Sequence, residues 1–219
     1  MVKRPTKRGL DDPTGPIRDA ITGGSFFPNE RLIEEDLVQR FEANRGAVRL
    51  ALARLEQEGL VVREPNRGAR VRLVSEKEAI EITEARAMLE SLLARHAALK
   101  ATQQDIENLH EILRELEGLV ESGDMIGYVA ANMRFHSTIV DIADHPTAAR
   151  LLVGLRAQSV VLQYRQILQP GRVTTVMREH EELVRVLASK DPDAAERTMR
   201  SHWDDMATAL KARLQRSSC

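Results

Sequence analysis

The chain has 219 residues, of which 42% are hydrophobic, 30% charged and 3% aromatic, and its formal net charge is −1. This is the composition of an ordinary globular protein, and the few aromatics, glycines and prolines suit a mostly helical fold with aliphatic cores. The single cysteine, Cys219, excludes an intrachain disulfide, no apolar run approaches the roughly 18 residues of a membrane span, and no apolar leader follows the basic N-terminus, so a cytoplasmic protein is expected. Charge is unevenly distributed. Residues 1–74 hold 14 Lys and Arg against 11 Asp and Glu, whereas residues 75–219 hold 18 against 22. A slightly basic N-terminal part joined to an acidic remainder fits a DNA reader coupled to a control domain.

Residues 1–13 are polar and basic and are expected to be a disordered tail; the alternative is an arm that touches phosphates. Ile17–Thr22 reads as a short helix stopped by Gly23-Gly24. The stretch Glu34–Leu60 reads as two helices with a tight break. Leu37, Val38 and Phe41 give the first an apolar face, and Asn44 caps the second. Val48, Ala51, Leu52 and Leu55 form the stripe that must be buried. Arg45 and Arg49 lie one turn apart on an adjacent face, beside the small Gly46, which permits close approach. A recognition helix entering the major groove needs such an arrangement. Gly59 ends the helix. Leu60–Arg63 then reads as a strand, Glu64–Gly68 as a turn containing Arg67, and Ala69–Leu73 as a returning strand. A basic hairpin after a recognition helix is a wing, so residues 14–74 are expected to form a winged helix-turn-helix.

Ser75 opens the second part with Glu78 three residues on, a capping pattern. Helices are expected over 76–99, 102–121, 124–143, 146–166, 172–189 and 192–214, punctuated by Thr102, Asp124 and Asp191 as caps and by a break at Gln169–Gly171. Six helices with short connections make an all-α antiparallel bundle over residues 75–219. The fold class is therefore mainly α, a winged helix-turn-helix followed by a helical bundle. Three late helices carry polar residues inside their apolar stripes: Asn132 and His136 on one, His180 on the next and His202 on the last. Each buried imidazole needs a partner. Separate hydrogen-bonded core histidines satisfy that need, and so does one shared divalent metal, with zinc ahead of nickel or manganese. His96 also lies within a stripe and reads as a core histidine. A carboxylate effector would need a cation, for which Arg86, Arg134 and Arg156 are candidates, although Arg86 with Glu90 also reads as an ordinary i,i+4 ion pair.

Residues 16–73 resemble the DNA-binding domain of the GntR family of bacterial regulators. The resemblance is carried by PIRDAITGGSFFPNERLIEEDLVQRF, NRGAVRLALARLEQEGLVV and the wing PNRGARV. It implies that Arg45 and Arg49 contact bases and that Gly68 approaches the minor groove; Asn44, Gly46 and Arg67 complete the expected DNA-facing set. The chain departs from the family pattern with Asn29 and Glu42 where glycine is usual, Glu35 where arginine is common, and Asn44 where serine or threonine is usual. Residues 79–214 resemble the FCD effector domain of the FadR-type subfamily, through AANMRFHSTIVDIADHP and REHEELVRVLASKDPDAAERTMRSHW. This implies a divalent metal on His136, His180, His202 and residue 132, with a small organic acid beside or on it. The family aspartate is Asn132 here, a neutral and weaker oxygen donor.

The leading functional expectation is a homodimeric, ligand-responsive regulator, a repressor, that binds a palindromic double-stranded operator. Two others compete. A metal-dependent hydrolase would use the three histidines to activate water, but no HExxH motif is present and the winged helix would be unexplained. A DNA-binding scaffold with purely structural histidines would have no effector.

Overall fold

The computed structural model describes residues 11–22, 25–64, 68–167 and 172–217. The expected features at residues 1–10, Gly23-Gly24, Arg67 and the Gln169–Gly171 break lie outside the described residues. The chain divides into two compact units, Met1–Val74 and Ser75–Cys219.

The first unit runs α1 (Thr14–Thr22), β1 (Arg31–Leu32), α2 (Glu34–Arg40), α3 (Arg45–Gln57), β2 (Val61–Glu64) and β3 (Gly68–Val71). Helix α1 starts three residues before the expected Ile17. The Asp12 carboxylate accepts from the Thr14 amide (3.0 Å) and hydroxyl (2.6 Å), which satisfies a donor at the helix start. Asn44 caps α3 as expected, its Oδ1 accepting from the Ala47 amide at 2.8 Å. The stripe Val48, Ala51, Leu52 and Leu55 is buried with Ile17, Leu32 and Leu37 in the core of this unit. The strands form an antiparallel sheet in the order β1-β3-β2, with Leu32 opposite Ala69 and Val62 opposite Arg70. Strand β1 was not expected. Two residues are too short for alternation to register, and β1 exists only because β3 offers its free edge. Gly68 is the first residue of β3 rather than part of the turn. Its φ of +84°, with only 3.0 Å between an added Cβ and the Leu32 carbonyl oxygen, requires glycine.

The second unit consists of α4 (Glu76–Lys100), α5 (Gln103–Ser122), α6 (Met125–Ala143), α7 (Pro146–Ile167), α8 (Arg172–Ala188) and α9 (Pro192–Ser217). Most starts have a local cause. Ser75 accepts from the Glu78 amide, Thr102 and Asp105 form a reciprocal capping box, Asp124 accepts from Gly127, and Asp191 accepts from Ala194. His145 Nδ1 accepts from the Ala148 amide at 3.3 Å and so caps α7; His96 meets it edge-on with ring centroids 5.0 Å apart. Helix α4 is central and packs against α6, α7, α8 and α9. The core combines Leu93, Leu109, Leu116, Tyr128, Phe135, Ile139, Leu187 and Met199. Among the described residues no helix is long and apolar enough to cross a membrane.

Candidate functional site

In the first unit, Arg45 and Arg49 stand on the exposed face of α3, each 60% exposed at the side chain. Both are held by the acidic first turn of α2. Arg45 pairs with Glu35, and Arg49 donates to Glu34 Oε2 at 2.8 Å. Glu34, Glu35 and Asp36 are acidic for a local reason: the residue before α2, Ile33, has no capping side chain, and carboxylates in a first turn offset the helix dipole. The same carboxylates then face the arginines across the turn. Gly46 and Asn44 are exposed at the start of α3, and Gly68 borders the wing.

In the second unit, α6, α8 and α9 bring His136, His180 and His202 together. The ring centroids are 5.2 Å apart for His136–His180, 5.3 Å for His136–His202 and 5.2 Å for His180–His202, a nearly equilateral triangle. One nitrogen from each ring lies within 4.8 Å of the others. All three rings are buried, and Phe135 stacks on His180 at 4.3 Å. Asn132, one turn before His136 and on the same face of α6, is buried with its Oδ1 lacking a protein partner. Both nitrogens of His180 also lack one. Unpaired buried polar atoms are costly, and three imidazoles around one point, with an unpartnered amide oxygen one turn away on the same face of α6, fit a divalent ion.

Carboxylates stand behind two of the rings. His202 Nδ1 is 2.7 Å from Glu179 Oε2, which leaves Nε2 for the centre of the triangle. Glu90 Oε2 is 3.2 Å from His136 Nδ1, near enough for a charge contact but poorly directed for a hydrogen bond. Such outer carboxylates orient and strengthen metal-binding imidazoles. Burial lowers the His136 pKa to about 4 against the pull of Glu90, and burial, then His202 and His136, lowers that of His180 well below the usual histidine value. These two rings are therefore neutral at neutral pH, the state that can bind a metal.

The cation candidates separate. Arg86 is 3% exposed; its guanidinium lies 4.0 Å from the Trp203 ring centre and bonds Glu90 Oε1 at 2.9–3.0 Å. Arg156 reaches Glu90 Oε2 (3.2 Å), the His136 carbonyl (3.1 Å) and Ser137 Oγ (3.1 Å). Burial alone would raise the Glu90 pKa, but Arg86 first and Arg156 second hold it well below the ordinary carboxylate value. Arg134, by contrast, is exposed and paired with Glu115, in a surface cleft that also holds Glu111 and Asp141. Three carboxylates there disfavour an acidic ligand, and on α6 Arg134 faces away from His136.

Sequence reasoning did not single out Tyr128, Glu179 or Arg172. Arg172 lies at the start of α8, 3.8 Å from Glu179, and its Nε and Nη2 are buried without protein partners, as is the Tyr128 hydroxyl. Burial raises the Tyr128 pKa to about 12. Arg172 begins its helix and has no place in a periodic stripe, so pattern alone cannot flag it.

Comparison with known proteins identifies both units of the chain. The family of bacterial regulatory proteins named gntR matches residues 15–71, and the FCD domain matches residues 81–205. The chain is 25% identical over 202 residues to the HTH-type transcriptional repressor RspR of Escherichia coli, covering 92% of this chain and 89% of that one. It is 30% identical over 220 residues to the Uxu operon regulator of Haemophilus influenzae, covering 89% and 79%. Its fold is similar to that of E. coli McbR/YncC, with a TM-score of 0.81 at 21% identity over 92% of this chain and 96% of that one. These relatives are regulators, not enzymes, which removes the hydrolase reading of the histidines. The chain is a transcriptional regulator of the GntR family, carrying an FCD domain behind its winged helix-turn-helix.

Proposed function

We propose that this protein is a homodimeric repressor that releases a palindromic operator when a small organic acid enters its metal-holding C-terminal domain. In this reading Arg45 and Arg49 read base edges, Asn44 and Gly46 allow α3 to seat, and the wing around Arg67 and Gly68 follows the neighbouring groove. His136, His180, His202 and Asn132 hold one divalent ion, zinc before nickel or manganese. Bound there, the ion supplies a Lewis-acidic anchor for a carboxylate. Arg86 and Arg156 hold the Glu90 carboxylate behind His136, so they act on the acid through the ring rather than by direct contact. The acid must bind the two conformations of the dimer unequally to shift the spacing of its recognition helices. Transcriptional repression is the direction named for RspR, and it is carried to this chain by similarity.

The observation that carries the reading is the near-equilateral histidine triangle with both nitrogens of His180 unpaired. The test is elemental mass spectrometry of the purified full chain and of His180→Ala. One metal per chain in the wild type, absent from a folded His180→Ala, is the expected result. A metal-free wild type after exposure to zinc, nickel and manganese would reduce the histidines to core residues and leave a DNA-binding scaffold.

A further inference from the structure

Helix α3 carries its charge on its flanks. The buried residues Val48, Ala51, Leu52 and Leu55 fix the direction of the core. At about 100° of turn per residue, the direction opposite to it falls among Gly46, Leu50, Ala53 and Gln57, each within about 30° of that line. Arg49 and Arg45 stand about 70° and 110° round from it, on the side of α2. All four charged side chains of α3 already have partners inside the first unit: Arg45 on Glu35, Arg49 on Glu34, Arg54 on Asp12, and Glu56 accepting from the Arg63 amide. The strip between them holds no charge. Leu50 projects from it, 54% exposed, with the small Gly46 and Ala53 about one turn to either side. A single exposed leucine needs no explanation on an arbitrary surface. On a helix that enters the major groove it meets base edges, and the apolar group displayed there is the C5 methyl of thymine.

We propose that Leu50 is a specificity-determining residue of this regulator, packing against a thymine methyl beside the bases read by Arg45 and Arg49. The inference rests on the reading of α3 as the recognition helix and adds to it a contact that discriminates by burial rather than by hydrogen bonding. Thymine is favoured over cytosine at this position because thymine alone offers a methyl to cover. Gly46, with no side chain, lets the start of the helix come close enough for the leucine to reach the base edge.

The test begins by selecting duplexes from a random-sequence library with the full chain. The enriched duplex is then titrated by fluorescence anisotropy with each thymine replaced in turn by deoxyuridine, which removes only the methyl. The wild type should lose about four-fold in affinity at one thymine of a half-site, the loss expected for one buried methyl. Leu50→Ala should bind the parent duplex more weakly and show no further loss with deoxyuridine at that thymine. A leucine acting only through folding would weaken both duplexes by the same factor, and circular-dichroism melts check that Leu50→Ala is as stable as the wild type. An enriched site at which no deoxyuridine weakens wild-type binding, or a deoxyuridine loss that Leu50→Ala retains in full, overturns the leucine contact but leaves α3 as the recognition helix. Failure of the library to enrich any sequence overturns the recognition-helix reading itself, and the leucine contact with it.

Discussion

At the scale of single residues, the DNA-facing surface shows two roles competing for the same groups. Arg45 and Arg49 carry the charge that a base-reading helix needs, yet Glu35 and Glu34 occupy both in the free protein. If Arg45 and Arg49 read bases as proposed, docking on DNA breaks these pairs. Exposed ion pairs are worth little, so the arginines are held rather than locked, and Glu35 adds a negative charge beside the phosphates. Glu35→Gln should therefore tighten binding to a mixed-sequence duplex by about 0.5–1 kcal/mol at low salt, read by fluorescence anisotropy. Unchanged or weaker binding would mean that this edge of α2 does not face the nucleic acid.

At the scale of elements, the glycine-to-other departures of the sequence mark places where the backbone still turns as if glycine were present. Asn29 has φ 66° and Glu42 has φ 47°, both left-handed. Asparagine visits that region readily, and Asn29 is further fixed by its amide donating to the Val71 carbonyl. Glutamate does not, and its left-handed conformation costs about 1–2 kcal/mol. Glu42 sits in the break between α2 and α3, where Ala43 must return to the core and Asn44 must cap α3. Glu42→Gly should relieve that strain and stabilise the protein by about 1 kcal/mol, after glycine's greater freedom in the unfolded chain is deducted. A urea titration checks it; a loss of stability would show that interactions of the Glu42 side chain outweigh the backbone strain.

At the scale of the whole molecule, the histidine cluster ties stability to pH. Without a bound metal, burial holds the His136 pKa at about 4 in the folded protein, against about 6.5 when unfolded. Between those values the unfolded chain binds the extra proton, so stability falls as pH drops through 6.5 and the loss is complete near 4. Burial moves His180 in the same direction and adds to the loss. The His136 contribution alone is of the order of 3 kcal/mol at most, because a tenfold change in proton affinity on folding is worth about 1.4 kcal/mol. Chelator-treated protein should show a lower urea midpoint at about pH 5 than at about pH 7, and His136→Gln should flatten that difference. A pH-independent midpoint would indicate that the rings are not buried neutral in solution.

Local pattern alone determined much of this protein. Stripes at helical period located α3 and the six later helices, because burying one face leaves a 3.6-residue signature that no other element shares. Ser75, Asn44, Thr102, Asp124 and Asp191 marked helix starts because a short polar side chain satisfies amides only a few residues away. His136, His180 and His202 could be nominated because each interrupts an apolar stripe. What tertiary structure decided is everything that depends on distance across the chain. It made β1 from two residues by giving them the edge of β3, and it turned an apparent surface pair, Arg86 and Glu90, into a buried group under Trp203 and beside Arg156 and His136. It brought Glu90 and Glu179 against two of the histidines and paired Arg134 with Glu115 elsewhere. Periodicity reports which face of a helix is buried; which charges meet on that face depends on how the helices pack, and that is a property of the assembled bundle.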